Sequence, residues 1–259
     1  MQIILYTAII LISLKSQALP GKYVWSYYQP EYNEKLIELS AENFEGTLVP
    51  FGSNESLNRS GSALGIQFKY GFDDFFSFGV QGKYYSSETA KSSTQGIINS
   101  GPTEPFFSLD YKSEGLMYGF VLNTGLFRKK IKYSDSLNYE QNNFSGGFFL
   151  EPYLGYQMVV YDFLVGAAYH YRHRLDQTVE YLSLTQSSLL TLKGGNQSDL
   201  KIFMEYYGNK IYGCELIQRE FSESYFLETS QRINQNFGIY SLKAYIRFEL
   251  KDDLDLIPY

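Results

Sequence analysis

The chain has 259 residues, a net charge of −6, and an aromatic share of 18% that is supplied almost wholly by Tyr and Phe. The acidic balance argues against nucleic acid as a partner, and a mean hydropathy of −0.26 excludes a helical membrane protein with many spans. It does not exclude a membrane protein built of strands, because half of each such strand is polar. A single cysteine, Cys214, rules out an internal disulfide.

An apolar run of twelve residues, Ile3 to Leu14, lies near the start of the chain. It is too short to cross a bilayer as a helix, and it is followed by Lys15 and then Ser16-Gln17-Ala18. Small residues three and one before a cut are typical of signal-peptidase sites, so residues 1–18 are predicted to be a cleaved signal peptide. The next segment, residues 19–34, is an arm that could be an extra strand, a periplasmic extension or a lumen insert.

The clearest strand pattern is a hairpin over residues 62–86. Apolar residues such as Leu64, Ile66 and Phe68 alternate with small or polar ones up to a tight-turn composition at residues 71–74, and the second arm repeats the alternation. Successive side chains on a strand point to opposite faces, so each arm has one apolar face and one small or polar face.

The same pattern recurs to the end of the chain, with tight turns alternating with long polar loops. It predicts an all-β, antiparallel, up-and-down barrel of ten strands, with eight to twelve left open. Two strands belong to the 62–86 hairpin, and the others cover residues 35–44, 104–112, 116–127, 147–158, 163–172, 199–207, 211–220 and 239–250. Two more strands would be added if residues 179–192 entered the wall as a hairpin. Pro152 predicts a weakened or bulged position because it cannot donate to the ladder.

Alternation alone does not say whether the apolar face meets lipid or a dry core, as in a soluble lipocalin-like barrel. Three features favour lipid: the loop lengths are asymmetric, the opposite face is rich in Gly, amides and charges, and aromatic residues stand near the strand ends. These aromatic residues are Tyr70, Tyr84, Tyr111, Tyr118, Tyr156, Tyr171, Tyr206 and Tyr240.

On this pattern the chain resembles the outer-membrane β-barrel proteins of Gram-negative bacteria over residues 35–250. The resemblance implies a transmembrane barrel in the cell outer membrane, with short periplasmic turns and long extracellular loops. In that class the last strand usually ends the chain in an aromatic residue, whereas here an acidic tail, residues 251–259, continues past it. The tail is either a short periplasmic extension or a sign that the last strand is misplaced.

The polar face carries charges that would line the lumen, and bases outnumber acids in this set. A ten-stranded lumen is narrow, so these charges could form an ion-pair network that stiffens the barrel, or could line a narrow pore for passive diffusion of small solutes. The predicted lumen-lining residues are Lys69, Lys83, Asp110, Lys112, Glu151, Arg172, Lys201, Glu205, Glu215, Arg219, Lys243, Arg247 and Glu249.

Catalysis is the third hypothesis, since some small outer-membrane barrels are hydrolases with a His, a Ser and an acid near the extracellular rim. The only histidines are His170 and His173, with Asp176 close by and loop serines at positions 183, 187 and 188. No spacing singles out a catalytic set. The sequence therefore predicts a structural or surface-interaction role without catalysis, and no cofactor.

A basic cluster lies where the fifth predicted strand leaves the membrane. Lys and Arg bind phosphate well, so the cluster could contact lipopolysaccharide, besides the membrane lipid itself. The alternative is a solvated loop start. Its residues are Arg128, Lys129, Lys130 and Lys132.

Overall fold

The computed structural model describes residue 30 and residues 32–48, 57–73, 75–91, 96–102, 105–113, 115–123, 132–134, 148–182, 187–193, 195–207, 210–222, 224–228, 232–234 and 237–250. No helix in these ranges is long and apolar enough to cross a membrane. The described elements are sixteen strands: β1 (Lys35–Leu48), β2 (Leu57–Gly71), β3 (Phe76–Lys91), β4 (Gly96–Pro102), β5 (Phe106–Ser113), β6 (Leu116–Asn123), β7 (Lys132–Ser134), β8 (Phe149–Val160), β9 (Phe163–Arg174), β10 (Gln177–Leu182), β11 (Ser187–Lys193), β12 (Gln197–Tyr207), β13 (Ile211–Phe221), β14 (Ser224–Phe226), β15 (Arg232–Asn234) and β16 (Phe237–Glu249).

Ten of these strands form a closed antiparallel barrel. Their order around the wall is β1, β2, β3, β5, β6, β8, β9, β12, β13 and β16, and β16 pairs with β1 to close it. The predicted count of ten and the up-and-down order are confirmed. The segment proposed as an extra hairpin does fold as one, β10 with β11, but it belongs to a separate five-stranded sheet with β7, β14 and β15. The twelve-stranded alternative is therefore wrong.

Several strands are longer than the sequence pattern predicts. The predicted loop at residues 45–61 is largely strand, because β1 continues to Leu48 and β2 begins at Leu57. The predicted loop at 87–103 contains the end of β3 and all of β4. The outward residues in the extensions of β1 and β2 are polar, as with Glu45 and Ser60. Because both faces of these extensions are polar, the sequence there shows no alternation of apolar and polar residues, although the strand pairing continues. Residues 124–127 of the predicted fifth strand lie outside the described residues.

The apolar faces point outward and are exposed. Exposed apolar side chains on the outer wall include Leu64, Ile66, Tyr84, Leu116, Tyr118, Leu150, Leu154, Tyr156, Tyr169, Tyr171, Ile202, Tyr206, Tyr212, Leu216, Tyr240 and Leu242. The charged faces point inward and are largely buried, which is the arrangement of a lipid-exposed barrel. The dry-core alternative is wrong, because a soluble barrel would reverse these faces.

One row of outward residues follows the ladder around the whole wall. It leaves β2 at Asn58 and returns to β2 at Tyr70, twelve residues further along the strand, which sets the shear of the barrel. Ten strands with this shear tilt by about 40° from the barrel axis. The row therefore descends from one end of the barrel to the other, and its members are Asn58, Thr47, Gly238, Glu220, Ser198, Tyr171, Pro152, Phe120, Leu109, Phe78 and Tyr70.

The two ends of the barrel differ in their connections. At one end the turns are short, as at Tyr161-Asp162 between β8 and β9, and Tyr161 adopts a left-handed φ of 55°. The start of β1 and the end of β16 meet there: Leu250 N–H donates to the Lys35 carbonyl at 2.8 Å, and Asn33 N–H donates to the Gly71 carbonyl at 2.6 Å. By the pattern of outer-membrane barrels this end is periplasmic, and the long connections are extracellular.

Pro152 interrupts the wall as the sequence predicts. The β8–β9 ladder pairs Leu150 with His173 and Tyr153 with His170, but not the residues between them. The register is the same on both sides of the gap, so the site is a weakened ladder and not a bulge. On its other edge Pro152 faces Phe120 of β6.

Candidate functional site

The barrel interior gathers most of the charges that the sequence places on the polar face. Lys69, Asp110, Glu151, Glu205, Glu215, Lys243 and Arg247 are buried, and Lys83, Arg172, Lys201 and Arg219 are partly buried. Glu249 does not join them, because it lies in the last residue of β16 and is exposed. The side chain of Lys112 lies outside the described residues.

Three interior acids are missing from the predicted set. Glu38 and Glu42 alternate inward on β1, and Asp199 does so on β12; all three are buried. The strand pattern could have identified each of them as inward-facing, because all three lie on the polar faces of predicted strands. With these acids included, every described base of the predicted set has a carboxylate within 3.9 Å. The predicted excess of bases thereby becomes a matched set of ion pairs.

Arg247 and Lys243 of β16 hold the central part of the network. The Arg247 guanidinium donates to Glu38 Oε2 at 2.8 Å and to Glu205 Oε1 at 2.5 Å. The Lys243 ammonium lies 2.6 Å from Glu38 Oε1 and 3.6 Å from Glu215 Oε2. We call these five residues the central cluster. Each of its carboxylates contacts side chains from other strands, so the cluster ties the four neighbouring strands β1, β16, β13 and β12 together on their inner face.

A tyrosine lies across a glycine to reach this cluster. Tyr245 on β16, Gly213 on β13 and Glu205 on β12 follow one another along one inward row. The Tyr245 ring packs over Gly213, where any Cβ would collide with it, and the Tyr245 hydroxyl donates to Glu205 Oε1 at 2.7 Å. The glycine is needed there for space.

The same arrangement recurs on the opposite wall. The Tyr153 hydroxyl on β8 crosses Gly119 of β6 and donates to Asp110 Oδ1 of β5 at 2.6 Å. A Cβ at Gly119 would lie 2.8 Å from that hydroxyl oxygen. Lys69 Nζ completes the site at 3.1 Å from Asp110 Oδ2. This pair of motifs gives the interior two hydrogen-bonded aromatic braces.

His170 lies inside the barrel and not on the rim surface. The residue is 1% exposed, and its Nδ1 lies 2.8 Å from Glu151 Oε1. The Arg172 guanidinium donates to the other oxygen of Glu151 at 2.6 Å and stacks over the Phe149 ring at 4.0 Å. The His170 ring in turn stacks on Tyr153 at 4.7 Å. These contacts give His170 a position in the ion-pair network, out of contact with bulk water.

Two further pairs extend the network toward the extracellular end. Arg219 binds both carboxylate oxygens of Asp199 at 3.0–3.1 Å, and Gln197 donates to the same carboxylate at 2.8 Å. Lys83 Nζ donates to Glu42 Oε2 at 2.5 Å. The bidentate Arg219–Asp199 geometry is the strongest form of such a pair.

Buried apolar side chains pack together inside the barrel, beside these ion pairs. Met117, Leu164, Ala168 and Phe203 point inward from β6, β9 and β12 and pack with Tyr153 and Tyr245. None of the six is more than 5% exposed. We call Met117, Leu164, Ala168 and Phe203 the apolar layer. These side chains are shielded from water, so the interior is filled where they lie.

The other residues singled out by the sequence are not brought to one site in the described part. His173 Nδ1 lies 3.0 Å from Asn196 Oδ1, and Asp176 is exposed. Ser183 and the basic residues 128–130 lie outside the described residues, and of Lys132, Ser187 and Ser188 only the backbone is described. Within the described ranges, no three His, Cys, Asp or Glu side chains are grouped as metal ligands.

No protein-family model matches the sequence, and no curated protein matches it. Among solved structures, the chain is similar to the outer-membrane protease OmpT from Escherichia coli, with 10% identity and a TM-score of 0.42 over 87% of this chain and 100% of that one. It is similar to an outer-membrane channel from Pseudomonas putida F1, with 10% identity and a TM-score of 0.45 over 90% and 100%. It is also similar to Ail, the attachment invasion locus protein of Yersinia pestis, with 11% identity and a TM-score of 0.26 over 84% and 99%.

These similarities concern the architecture alone, and the roles of the three proteins differ. The membrane assignment follows from the chain's own features: a closed wall of ten strands, an exposed apolar exterior, a charged interior and one end with short turns. By these features the chain is a transmembrane β-barrel protein of the Gram-negative outer membrane.

Proposed function

We propose that the protein is a non-conducting outer-membrane barrel with a structural or surface-interaction role and no catalytic activity. The observation that supports this proposal is the filled interior. The apolar layer is buried from water, and the charged groups around it are paired with one another instead of facing a column of water. A closed barrel of this kind anchors extracellular strands rigidly in the membrane.

A pore for passive diffusion of small solutes is the alternative, and it requires a wet path past the apolar layer. Met117, Leu164 and Phe203 are each at most 2% exposed, and the central cluster is interlocked beside them. Opening a path would separate buried ion pairs, which costs several kcal/mol for each broken pair. The filled interior therefore favours the hypothesis that the barrel is closed to solutes.

Liposome swelling tests the choice. Purified protein is reconstituted into liposomes, which are then diluted into isotonic arabinose or glycine. We expect the swelling rate to equal that of protein-free liposomes, with a general porin as the positive control. Swelling that scales with the amount of folded protein would establish the pore and refute the proposal.

The absence of catalysis is proposed because His170 is enclosed by Glu151, Arg172 and Tyr153. A general base must reach the proton that it removes, and this enclosed ring does not face the extracellular space. A hydrolase activity of the purified protein that His170→Ala or His173→Ala abolishes would refute this part of the proposal.

Export through a cleaved signal peptide and contact with lipopolysaccharide complete the proposal. Sequencing of the mature protein from the outer membrane should give Leu19 as the first residue.

The basic cluster at Arg128, Lys129, Lys130 and Lys132 would bind lipopolysaccharide phosphates. Replacing all four with Gln should weaken binding to lipopolysaccharide at low salt, and unchanged binding would remove the cluster from the proposal.

A further inference from the structure

The outer wall carries a groove of about 530 Å³ near its extracellular end. It follows the outward ladder row across five neighbouring strands, from Tyr171 on β9 through Ser198 and Glu220 to Gly238 and Thr47. Ser198, with its short side chain, lies between the Tyr171 ring and Glu220, and Gly238, with none, lies between Glu220 and Thr47. We call this depression the outer groove.

The outer groove lies at the water-facing border of the membrane. Along its ladder row the residues on the extracellular side, such as Thr47 and Glu220, are polar. Beyond Tyr171 the same row continues as Pro152, Phe120 and then further apolar residues toward the periplasmic end. The row therefore passes from water into lipid at Tyr171, and tyrosine is the residue that prefers this depth.

The chemistry of the groove excludes anions. The described residues that line it include no Lys or Arg, and Glu220 adds one exposed carboxylate. A phosphate or carboxylate ligand would face that charge without a cation to bind it. Lipopolysaccharide phosphates therefore do not fit this groove.

The same lining suits a ligand with many hydroxyl groups. Tyr169 and Tyr171 are 52% and 41% exposed, so their rings offer flat apolar surfaces. Within the described part of the chain, the side chains of Tyr169, Tyr171 and Ser198 have no hydrogen-bond partner, and Glu220 Oε1 accepts one bond, from Gln218 at 3.2 Å. These hydroxyl and carboxylate groups can donate to and accept from sugar hydroxyls, while the rings pack against the C–H faces of a sugar.

We propose that the outer groove binds uncharged sugar residues of a glycan at the membrane surface. The inference rests on the proposed surface-interaction role and names its ligand class. Two sources share this chemistry, the neutral sugars of the cell's own lipopolysaccharide and glycans that approach from outside. A site that is shallow, aromatic and rich in hydroxyl groups binds a few sugar units and leaves the chain free to continue out of the groove.

Glycan binding is tested with the folded protein in a detergent that has no sugar headgroup. An array of neutral oligosaccharides, with sialylated ones beside them, is the probe. We expect binding to neutral oligosaccharides and weaker binding to sialylated ones, because Glu220 repels the added charge. Tyr171→Ala should lower the affinity about three- to tenfold by removing one stacking surface, and Ser198→Arg should abolish binding by filling the groove.

Two matched variants control for general damage to the wall. Tyr84→Ala removes an exposed outward tyrosine on β3, and Ser60→Arg adds an outward Arg on β2; neither residue lines the groove. Both should bind as the wild type does. Heat-modifiable migration on gels confirms that each variant is folded. The proposal is overturned if the wild type binds no neutral oligosaccharide at millimolar concentration, or if Tyr171→Ala and Ser198→Arg bind as tightly as the controls.

The source of the sugar is tested with vesicles that contain either smooth lipopolysaccharide or deep-rough lipopolysaccharide, which lacks the outer sugars. Tighter Ser198-dependent binding to smooth vesicles supports a site for the cell's own sugars; equal binding to both, with array binding retained, supports an external glycan. No groove residue belongs to the apolar layer, so a failure of glycan binding leaves the closed lumen standing. Solute influx into the liposomes would refute the closed lumen but would leave the proposal of glycan binding in the outer groove standing.

Discussion

Replacing Arg247 with Met should destabilise the barrel more than any surface substitution. Arg247 is 4% exposed and is the group that separates the carboxylates of Glu38 and Glu205. Met keeps much of the aliphatic volume but leaves two buried acids without this cation. Removing one partner of a buried ion pair costs about 3–5 kcal/mol. With a urea dependence of about 1–3 kcal/mol per molar, the unfolding midpoint should fall by about 1–5 M.

Urea unfolding in lipid vesicles, followed by the gel shift between folded and unfolded barrels, measures this change. Lys210→Met is the matched control, because Lys210 is an exposed cation at the periplasmic end. Its ammonium lies 4.8 Å from the centroid of the Phe248 ring, so its loss should cost no more than about 1 kcal/mol. Adding Glu205→Gln to Arg247→Met should recover part of the loss, since it removes the buried carboxylate beside the lost guanidinium, whereas Glu38 keeps the Lys243 ammonium 2.6 Å away. An Arg247→Met midpoint equal to that of Lys210→Met would refute the reasoning that the cluster carries stability.

Two other substitutions test the packing of the wall from its inner and outer faces. Gly213→Val should displace the Tyr245 ring and lower the free energy of unfolding by about 1–3 kcal/mol, whereas Gly82→Val, where a Cβ meets no atom within 4 Å, should be neutral; equal midpoints for the two in urea would contradict the proposed brace. Leu216→Arg puts a charge on the lipid face and should cost about 2 kcal/mol or more, while Gln218→Arg, one outward position nearer the extracellular end, should cost about 0–1 kcal/mol. A larger loss of stability for Gln218→Arg than for Leu216→Arg in the same assay would contradict this placement of the membrane border.

The strand faces were predictable because an outward apolar residue and an inward polar one must alternate wherever the wall meets lipid. That is why Leu64 and Lys69 fall on opposite faces, as the hairpin pattern predicts. The strand ends were not predictable, since the outward residues of the extensions, such as Glu45, face water and lose the contrast. The β10–β11 hairpin shows the same limit: its strands were visible in the sequence, but its separation from the wall was not.

The alternation of apolar and polar residues could not predict which charged side chains pair with one another inside the barrel. The pattern shows that Lys69 and Lys83 point inward, but their partners Asp110 and Glu42 depend on register and on the closure of the wall. The brace from Tyr245 to Glu205 likewise joins two residues that lie 40 positions apart in sequence and on strands separated by β13. Glu42 could have been included from its place on the polar face of the first strand.

Single-channel recording in a planar bilayer tests the closed interior most directly. The folded wild-type protein in concentrated KCl should give no steady conductance steps. A variant with Met117, Leu164 and Phe203 all changed to Ala removes the apolar layer and should give steps under the same conditions, which shows that insertion and detection work. Reproducible steps from the wild-type protein, at a size that this variant does not change, would contradict the account of a filled lumen.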